Sequence, residues 1–433
     1  MSRKIGFWAV FALVTGSQIG SGVFMLPSNL APYGIIGLMG WIISGVGAVS
    51  LALVFAKLCS WLPRTGGPHV YVNKAFGPCF AFFTGWTYWV ISWVSTPVVI
   101  VASIGYLTPL IGVHSSSFNL ALEIGLIFII TLLNLRGVKA AGRAEFFLTM
   151  LKIIPLIVMP CVAFFMFRSD CFITEIPAAA STSLSSSLSA VTLLTLWAFI
   201  GLESATTPAG SVENPSKTIP RAIVFGTICV AVLYFLNSLG IMGVVPGSEL
   251  MNSPAPYVDA AQRIFGGNWH LVISVMASIV CIGTLNAWVL ASGQISFGLA
   301  QDGLLPKIFA KKNKKEAPFY SLFISFFGII PLLILTSQEN LARQMNVILD
   351  FSVTAFLFVY LICCCAFFKL LPHHQKRNLF VYGYGIIALL FCGWVLYETP
   401  LKTLLISGVF TVTGIPLFLW RYRLIKACGL EKE

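Results

Sequence analysis

Charge is what this chain most lacks. Only 10% of its 433 residues are Asp, Glu, Lys or Arg, against about 25% in an ordinary soluble domain. That composition excludes a water-soluble globular protein. Histidine is scarce too: His69, His114, His270, His373 and His374 are scattered or fall in loops, so the clustered His, Asp and Glu that a membrane-embedded enzyme needs are missing. No GxxxxGK[ST] phosphate loop occurs, which argues against ATP hydrolysis. Of the 11 cysteines only Cys171 falls in an expected outer loop, so a disulfide framework is not expected. Cys363-Cys364-Cys365 reads as small apolar helix filling, since CxxC spacing and neighbouring histidines are lacking. No cofactor or metal is expected, and the chain is not expected to be an enzyme.

What the chain has is hydrophobic length. It is 58% hydrophobic with a mean hydropathy of +0.90. Apolar stretches recur at about 7–32, 36–57, 80–108, 119–136, 145–167, 188–212, 221–244, 270–299, 318–336, 345–368, 379–398 and 402–422. Each suffices to cross a hydrocarbon core of about 30 Å. The pattern predicts an all-α integral membrane protein of twelve transmembrane helices, with residues 1–433 forming a single transmembrane domain. The first stretch lacks a small-residue cleavage site and leads into further spans, so it is expected to stay in place rather than act as a signal peptide.

The net charge of +12 reflects topology rather than nucleic-acid binding. With the N-terminus inside and the spans alternating, Arg168, Arg263, Arg343 and Lys402 fall outside and Lys152 falls within a span. Every other Lys and Arg faces the cytoplasm, the positive-inside pattern. The expectation is a multi-pass protein of the cell inner membrane with both termini cytoplasmic. The Lys311–Lys315 cluster fits the same rule, with contact to anionic lipid headgroups as an additional option. The segment from Pro63 to Pro78 is too short to span and reads as a re-entrant or interfacial element. Glu213-Asn214-Pro215 and the run from Gln301 to Pro306 read as turns.

Two glycine-interrupted segments carry the functional signal: Thr15-Gly16-Ser17-Gln18-Ile19-Gly20-Ser21-Gly22 in the first span and Phe199-Ile200-Gly201-Leu202-Glu203-Ser204 in the sixth. Breaks at corresponding positions in two halves point to a transporter's midplane site. Spans 1–5 and 6–10 then form two five-helix sets (1–167 and 188–368), the second inverted, with 379–424 holding two additional helices. Backbone N–H groups freed at the first break, with the positive end of the following half-helix, suit a carboxylate. Close packing through small residues is the bland alternative.

Glu203 sits within the second break, where a carboxyl group costs about 2.5–3.5 kcal/mol on insertion scales. It is either a proton carrier or coupling group, or a protonated hydrogen-bonding residue. Trp197 lies one turn before that break, Tyr88, Trp89 and Trp93 lie in span 3, and Trp288 lies in span 8. A tryptophan face attracts a guanidinium or ammonium by roughly 2 kcal/mol when desolvated. Packing is the ordinary role of such rings. Lys152 and Asp350 are further charges within spans. Either they pair, reducing the desolvation cost, or they act separately, Lys152 as a cation replacing sodium and Asp350 facing the substrate's cationic end. Arg343 is an alternative partner for Asp350.

The motifs GSGVFMLPSNLA at 20–31, TGGPHVYVNKAFGP at 65–78, LWAFIGLESAT at 196–206 and ASGQISFGLAQDGLLPKIFAK at 291–311 resemble those of the amino acid–polyamine–organocation (APC) superfamily. The similarity covers almost the whole chain and is strongest to the basic amino acid/polyamine antiporters of the arginine/agmatine type. The resemblance implies twelve helices, a five-plus-five inverted repeat with broken helices 1 and 6, and exchange by alternating access. It implies that the backbone at Ser21 and Gly22 binds a carboxylate and that Gln18 lies where the family has an apolar contact. Ile91, Ser92, Thr96 and Val99 match the span-3 substrate face, and Trp197 and Ile200 match span-6 contacts and an outer gate. Trp288 matches a guanidinium-stacking tryptophan, Tyr88 and Trp93 match gating aromatics, and Glu203 matches a coupling acid. Thr96 replaces an asparagine of that pattern, Asp350 a small hydroxyl residue and Lys152 an apolar residue. The expected function is exchange of a basic, arginine-like amino acid for its amine or another amino acid; the alternative is proton-coupled uptake. Expected partners are the small amino acid or amine, membrane lipid and, as an option, a second copy in a homodimer, with no nucleic acid.

Overall fold

The computed structural model describes residues 4–112, 115–172, 184–253, 255–336, 341–374 and 378–427; for residues 109, 336, 341–350 and 422–427 it describes the backbone path alone. Apart from isolated bridges joining Ile5 to Val212 and Lys312 to Pro318, the described secondary structure is helical. The first span comprises α1 (Phe7–Gln18) and α2 (Gly22–Leu30), followed by α3 (Ile35–Trp61) and the short α4 (Pro68–Phe76). The third span is α5 (Pro78–Val94) continued by α6 (Thr96–Gly105), with α7 (Thr108–Ile111) after it. Next come α8 (Ser116–Asn134), α9 (Val138–Phe165) and α10 (Leu184–Leu196). The second half holds α11 (Pro215–Met242), α12 (Gly247–Leu250), α13 (Pro256–Phe265), α14 (Trp269–Gln301), α15 (Phe319–Thr336) and α16 (Leu341–His374). The last helices are α17 (Leu379–Glu398), α18 (Leu401–Val412) and α19 (Ile415–Ala427).

Among the described residues, eleven helical segments have the length and hydropathy to cross a membrane, and a shorter apolar helix, Phe319–Leu335, fills the expected ninth position. The twelve expected stretches are thus accounted for. The sixth differs in kind: its α-helix ends at Leu196, and residues from Trp197 to Ser211 run as short 3-10 turns. The segment too short to span is α4, whose Pro68, His69, Val70, Tyr71 and Val72 are buried.

Exposure follows the logic of a lipid solvent. Large apolar side chains face outward, such as Phe147 and Ile154 on α9, Ile129 on α8 and Leu390 on α17. The interior instead holds polar groups that need partners, because no water is available to them at that depth. Proline shows how this is met. Pro160 has no N–H to offer the Leu156 carbonyl one turn earlier, and Asn237 of α11 donates to that oxygen instead at 2.7 Å.

Helix ends carry the expected turn chemistry. Asn214 takes a left-handed conformation (φ 44°) before Pro215 opens α11. Beyond Gln301, Asp302 and Gly303 turn the chain, the latter with φ 69°. Asn313 accepts hydrogen bonds from the N–H groups of Lys315 and Ala317, organising the lysine-rich loop. Loops expected on one side meet one another: Arg64 pairs with Asp302, and Asn313 donates to the Leu135 carbonyl at 2.7 Å. On the other side Arg263 pairs with Glu249 within the single connection between α11 and α14, and the Arg168 N–H donates to the Gly243 carbonyl at the end of α11.

Asp302 closes one end of the bundle. Burial pushes its carboxyl up, but the neighbouring His69 and Arg64 outweigh that and hold it below the usual carboxylate range. His69, fully buried on α4, lies 3.4 Å from the second Asp302 oxygen. The adjacent Gly66 N–H donates to the Thr207 carbonyl at 3.0 Å.

Candidate functional site

α1 stops at Gln18 because Ile19 turns extended (φ −74°, ψ 94°). Carbonyls near a helix end lose their intrahelical donors, and in a membrane each needs a replacement. Three helices supply them. Lys152 of α9 donates to the Gly16 carbonyl at 2.6 Å. Tyr234 of α11 donates to the Gln18 carbonyl at 2.7 Å. Thr284 of α14 donates to the Ile19 carbonyl at 2.6 Å. On the far side of the break, Gly22 opens α2, whose first N–H groups have no acceptor inside the helix.

The second break turns on Gly201. Its φ of +105° is unfavourable for any side chain, and a Cβ there would lie 3.0 Å from Ser17 Oγ and 3.2 Å from the Trp288 ring. The Gly201 N–H donates to the Tyr360 hydroxyl oxygen at 3.3 Å. Ser17 Oγ donates to the Gly201 carbonyl at 2.8 Å and shares a 2.8 Å hydrogen bond with Ser204 Oγ. The two breaks are therefore bonded to each other.

Between them lies a cavity. Ser17, Gln18, Gly20, Ser21 and Gly22 line it from the first break, and Trp197, Ala198 and Ile200 from the second. Span 3 contributes Ser95, Thr96 and Val99, α14 contributes Thr284, Leu285 and Trp288, and α16 contributes Phe356. Trp288 and Phe356 pack with ring centroids 5.3 Å apart. The cavity brings together Gln18, Ser21, Gly22, Thr96, Val99, Trp197, Ile200 and Trp288 of the expected residues.

Others fall elsewhere. Ile91 and Ser92 are fully buried and are not among the lining residues; Ser92 donates to the Trp89 carbonyl in its own helix at 2.6 Å. The wall starts one turn later, at Ser95. Thr96 lines the cavity, but Pro97 lacks the N–H that the Trp93 carbonyl would use, and the Thr96 hydroxyl donates there at 2.7 Å. Trp89 and Trp93 lie outside the lining: Trp89 packs edge-on to Trp86 and Phe309, and Trp93 lies against Gly328 of α15. The Asp350 and Arg343 side chains lie outside the described residues.

Glu203 is fully buried and finds hydroxyl partners. Tyr88 donates to Oε1 at 2.9 Å, and Tyr360 donates to Oε2. Lys152 does have a carboxylate beside it, and it is Glu145 of its own helix, 3.6 Å away. The expected alternative of a pair with Asp350 falls outside the described residues. Phe356, Tyr360 and Thr284 were hidden in apolar runs; their only sequence signal is polar or aromatic character within a span. Glu145 and Lys152 are seven apart, which places them on one helix face two turns apart.

A sequence model of the amino acid permease family matches residues 5–419. The chain is 30% identical over 430 residues to the putrescine transporter PotE of Haemophilus influenzae, covering 96% of this chain and 97% of that one. It is 28% identical over 424 residues to the putrescine transporter PotE of Escherichia coli, covering 96% of each. It is also 31% identical over 343 residues to the cadaverine/lysine antiporter of Escherichia coli, covering 79% of this chain and 77% of that one. With many apolar spans, two broken helices and a cavity between the breaks, the chain is a multi-pass membrane protein that belongs to the amino acid permease family, as an APC-superfamily member resembling the basic amino acid and polyamine antiporters.

Proposed function

We propose that this protein exchanges a basic amino acid for an amine or a second amino acid by alternating access. The observation that carries the reading is the cavity, which the start of α2 lines together with Trp197, Trp288 and Phe356. A helix N-terminus favours an anion, and aromatic faces favour a cation. A molecule with a carboxylate at one end and an ammonium or guanidinium at the other suits both kinds of group. Ser21 and Gly22 are assigned to the carboxylate, Trp288 to the cationic end and Trp197 and Ile200 to the outer closure. Asp350, on the same helix as Phe356, is assigned as counter-charge.

The relatives' names, putrescine transporter and cadaverine/lysine antiporter, add lysine and linear diamines to the arginine/agmatine pair as candidate substrates. Two inverted five-helix repeats, 1–167 and 188–368, are assigned as the moving framework. The loop charges support the inner membrane with both termini cytoplasmic.

Reconstitution tests the reading. Proteoliposomes loaded with radiolabelled lysine, arginine or diamine should release label only when a substrate is supplied outside. Equal release into empty buffer rules out obligatory exchange. A second reading, proton-coupled uptake, is favoured by one observation: Glu203 is a carboxyl group buried beside the second break with two tyrosine partners. An imposed proton gradient that drives accumulation into empty vesicles would select it.

A further inference from the structure

Lys152 and Glu145 form a buried charged pair against the first break. Both side chains are fully covered. The ammonium holds the Gly16 carbonyl at 2.6 Å and the Thr284 hydroxyl at 3.1 Å. The carboxylate is held in turn: Asn286 of α14 donates to Oε2 at 2.8 Å, and Thr149 lies 3.3 Å from Oε1. Asn286 is itself fixed by Asn134 of α8 at 3.0 Å. Two glycines make the space. A Cβ on Gly16 would lie 1.9 Å from Glu145 Oε1, and one on Gly283 would lie 2.3 Å from Lys152 Cε. A lone buried ammonium pays a large desolvation penalty, and a matched carboxylate offsets it only when its remaining lone pairs are satisfied. Here they are met by Asn286 of α14 and by Thr149 of α9 itself.

We propose that Glu145 is a positioning residue that compensates the charge of Lys152, making Lys152 a fixed tie between α9 and the first break rather than a carrier that gains and loses a proton during transport. The pair is neutral as a unit wherever its proton sits. α1 faces it with backbone carbonyls, α14 with Asn286, Thr284 and the ionisable thiol of Cys281, and α8 with Asn134. α11, also packed on α9, meets it further along through Asn237 at Leu156. On α9 itself Lys139 and Arg143 lie nearer the helix start.

The test uses the full chain in detergent and in proteoliposomes. Glu145→Gln keeps the shape and the bond to Asn286 but removes the counter-charge. Burial penalises a charged amine left without a counter-charge, so Glu145→Gln should transport roughly tenfold or more slowly near pH 8 and regain activity toward about pH 5.5. The double variant Glu145→Gln/Lys152→Met should melt at a higher temperature than Glu145→Gln alone and Lys152→Met alone, because neither charge is left unpaired. A Glu145→Gln profile parallel to the wild type across that range overturns the proposal. So does a double variant that melts no higher than Lys152→Met, a comparison that stands even where Glu145→Gln does not fold. The melting comparison needs no substrate, so its failure is separable from a failure of the proposed exchange.

Discussion

Ser17 and Gly201, 184 residues apart, are joined by a 2.8 Å hydrogen bond from the serine hydroxyl to the glycine carbonyl. The bond links the break in the first span to the break in the sixth. A polar group at this depth has no water to turn to, so loosening one break leaves a carbonyl of the other unsatisfied. Ser17→Ala should lower transport up to about tenfold, the size of one net hydrogen bond of ~0.5–1.5 kcal/mol. Initial uptake rates at matched protein content measure this; a wild-type rate refutes the coupling.

Gly201→Ala places a Cβ on a backbone with φ +105° and against the Trp288 ring. Strained conformations of this kind cost of order 1–3 kcal/mol. The variant should melt lower and bind substrate more weakly, since the Trp288 ring must give way. Thermal unfolding and binding titration on the same preparation check both effects.

Glu203→Gln keeps an acceptor for one tyrosine hydroxyl but removes the ionisable group. Where Glu203 couples transport to protons, the variant should flatten the pH dependence of transport. Tyr360→Phe and Tyr88→Phe should displace the profile rather than flatten it, because each removes one donor from the carboxyl group. Transport rates measured across about pH 5 to 8 decide between coupling and a purely structural role.

Trp288→Leu should weaken binding of lysine, arginine or a diamine by roughly 30-fold, the loss of about 2 kcal/mol of desolvated cation–π attraction. Trp288→Phe should recover part of it. Asp350→Asn should weaken the same cations far more than leucine. Equal losses for leucine and lysine would remove both residues from the cation's end of the site.

Asp302 gives a prediction with a defined acid limit. Its carboxyl is raised by burial but lowered more by His69 and Arg64, so it stays below the ordinary range. A depressed carboxylate contributes stability above its unfolded value of about 3.9 and loses it as pH falls through the folded value. Asp302→Asn should therefore lower the melting temperature, by about 2 °C or more, at any pH from 5 to 8. The gap should close only below about pH 4. Arg64 is 63% exposed, so solvent screens its share of the effect.

The breaks were legible because glycine in an apolar span has few uses, and both lie where the sequence places them. Lys152 was legible as a charge out of place, but its partner was not. Glu145 stands at the expected start of the fifth stretch, where a carboxylate looks like an ordinary helix end. α9 begins seven residues earlier, at Val138, which carries Glu145 into the interior. Tyr360 and Thr284 are similarly unmarked, because a tyrosine or threonine in an apolar run is common and only the backbone groups it meets give it a role. Of the span-3 face expected at Ile91, Ser92, Thr96 and Val99, the last two line the cavity: a helical face is readable from spacing, whereas the depth at which a cavity opens along it depends on the neighbouring helices.

The carbonyls of Gly16, Gln18 and Ile19 are held by Lys152, Tyr234 and Thr284, each from a different helix. The first break is therefore a three-legged joint, and no helix can swing about it alone. Any tilt of α1 that opens one side must shed bonds to α9, α11 and α14 together, or carry all three along. Packed interfaces of this kind switch between discrete arrangements rather than deform gradually. The expected motion is accordingly a jump between two seated positions, with the half-way geometry disfavoured because it leaves several carbonyls bare at once.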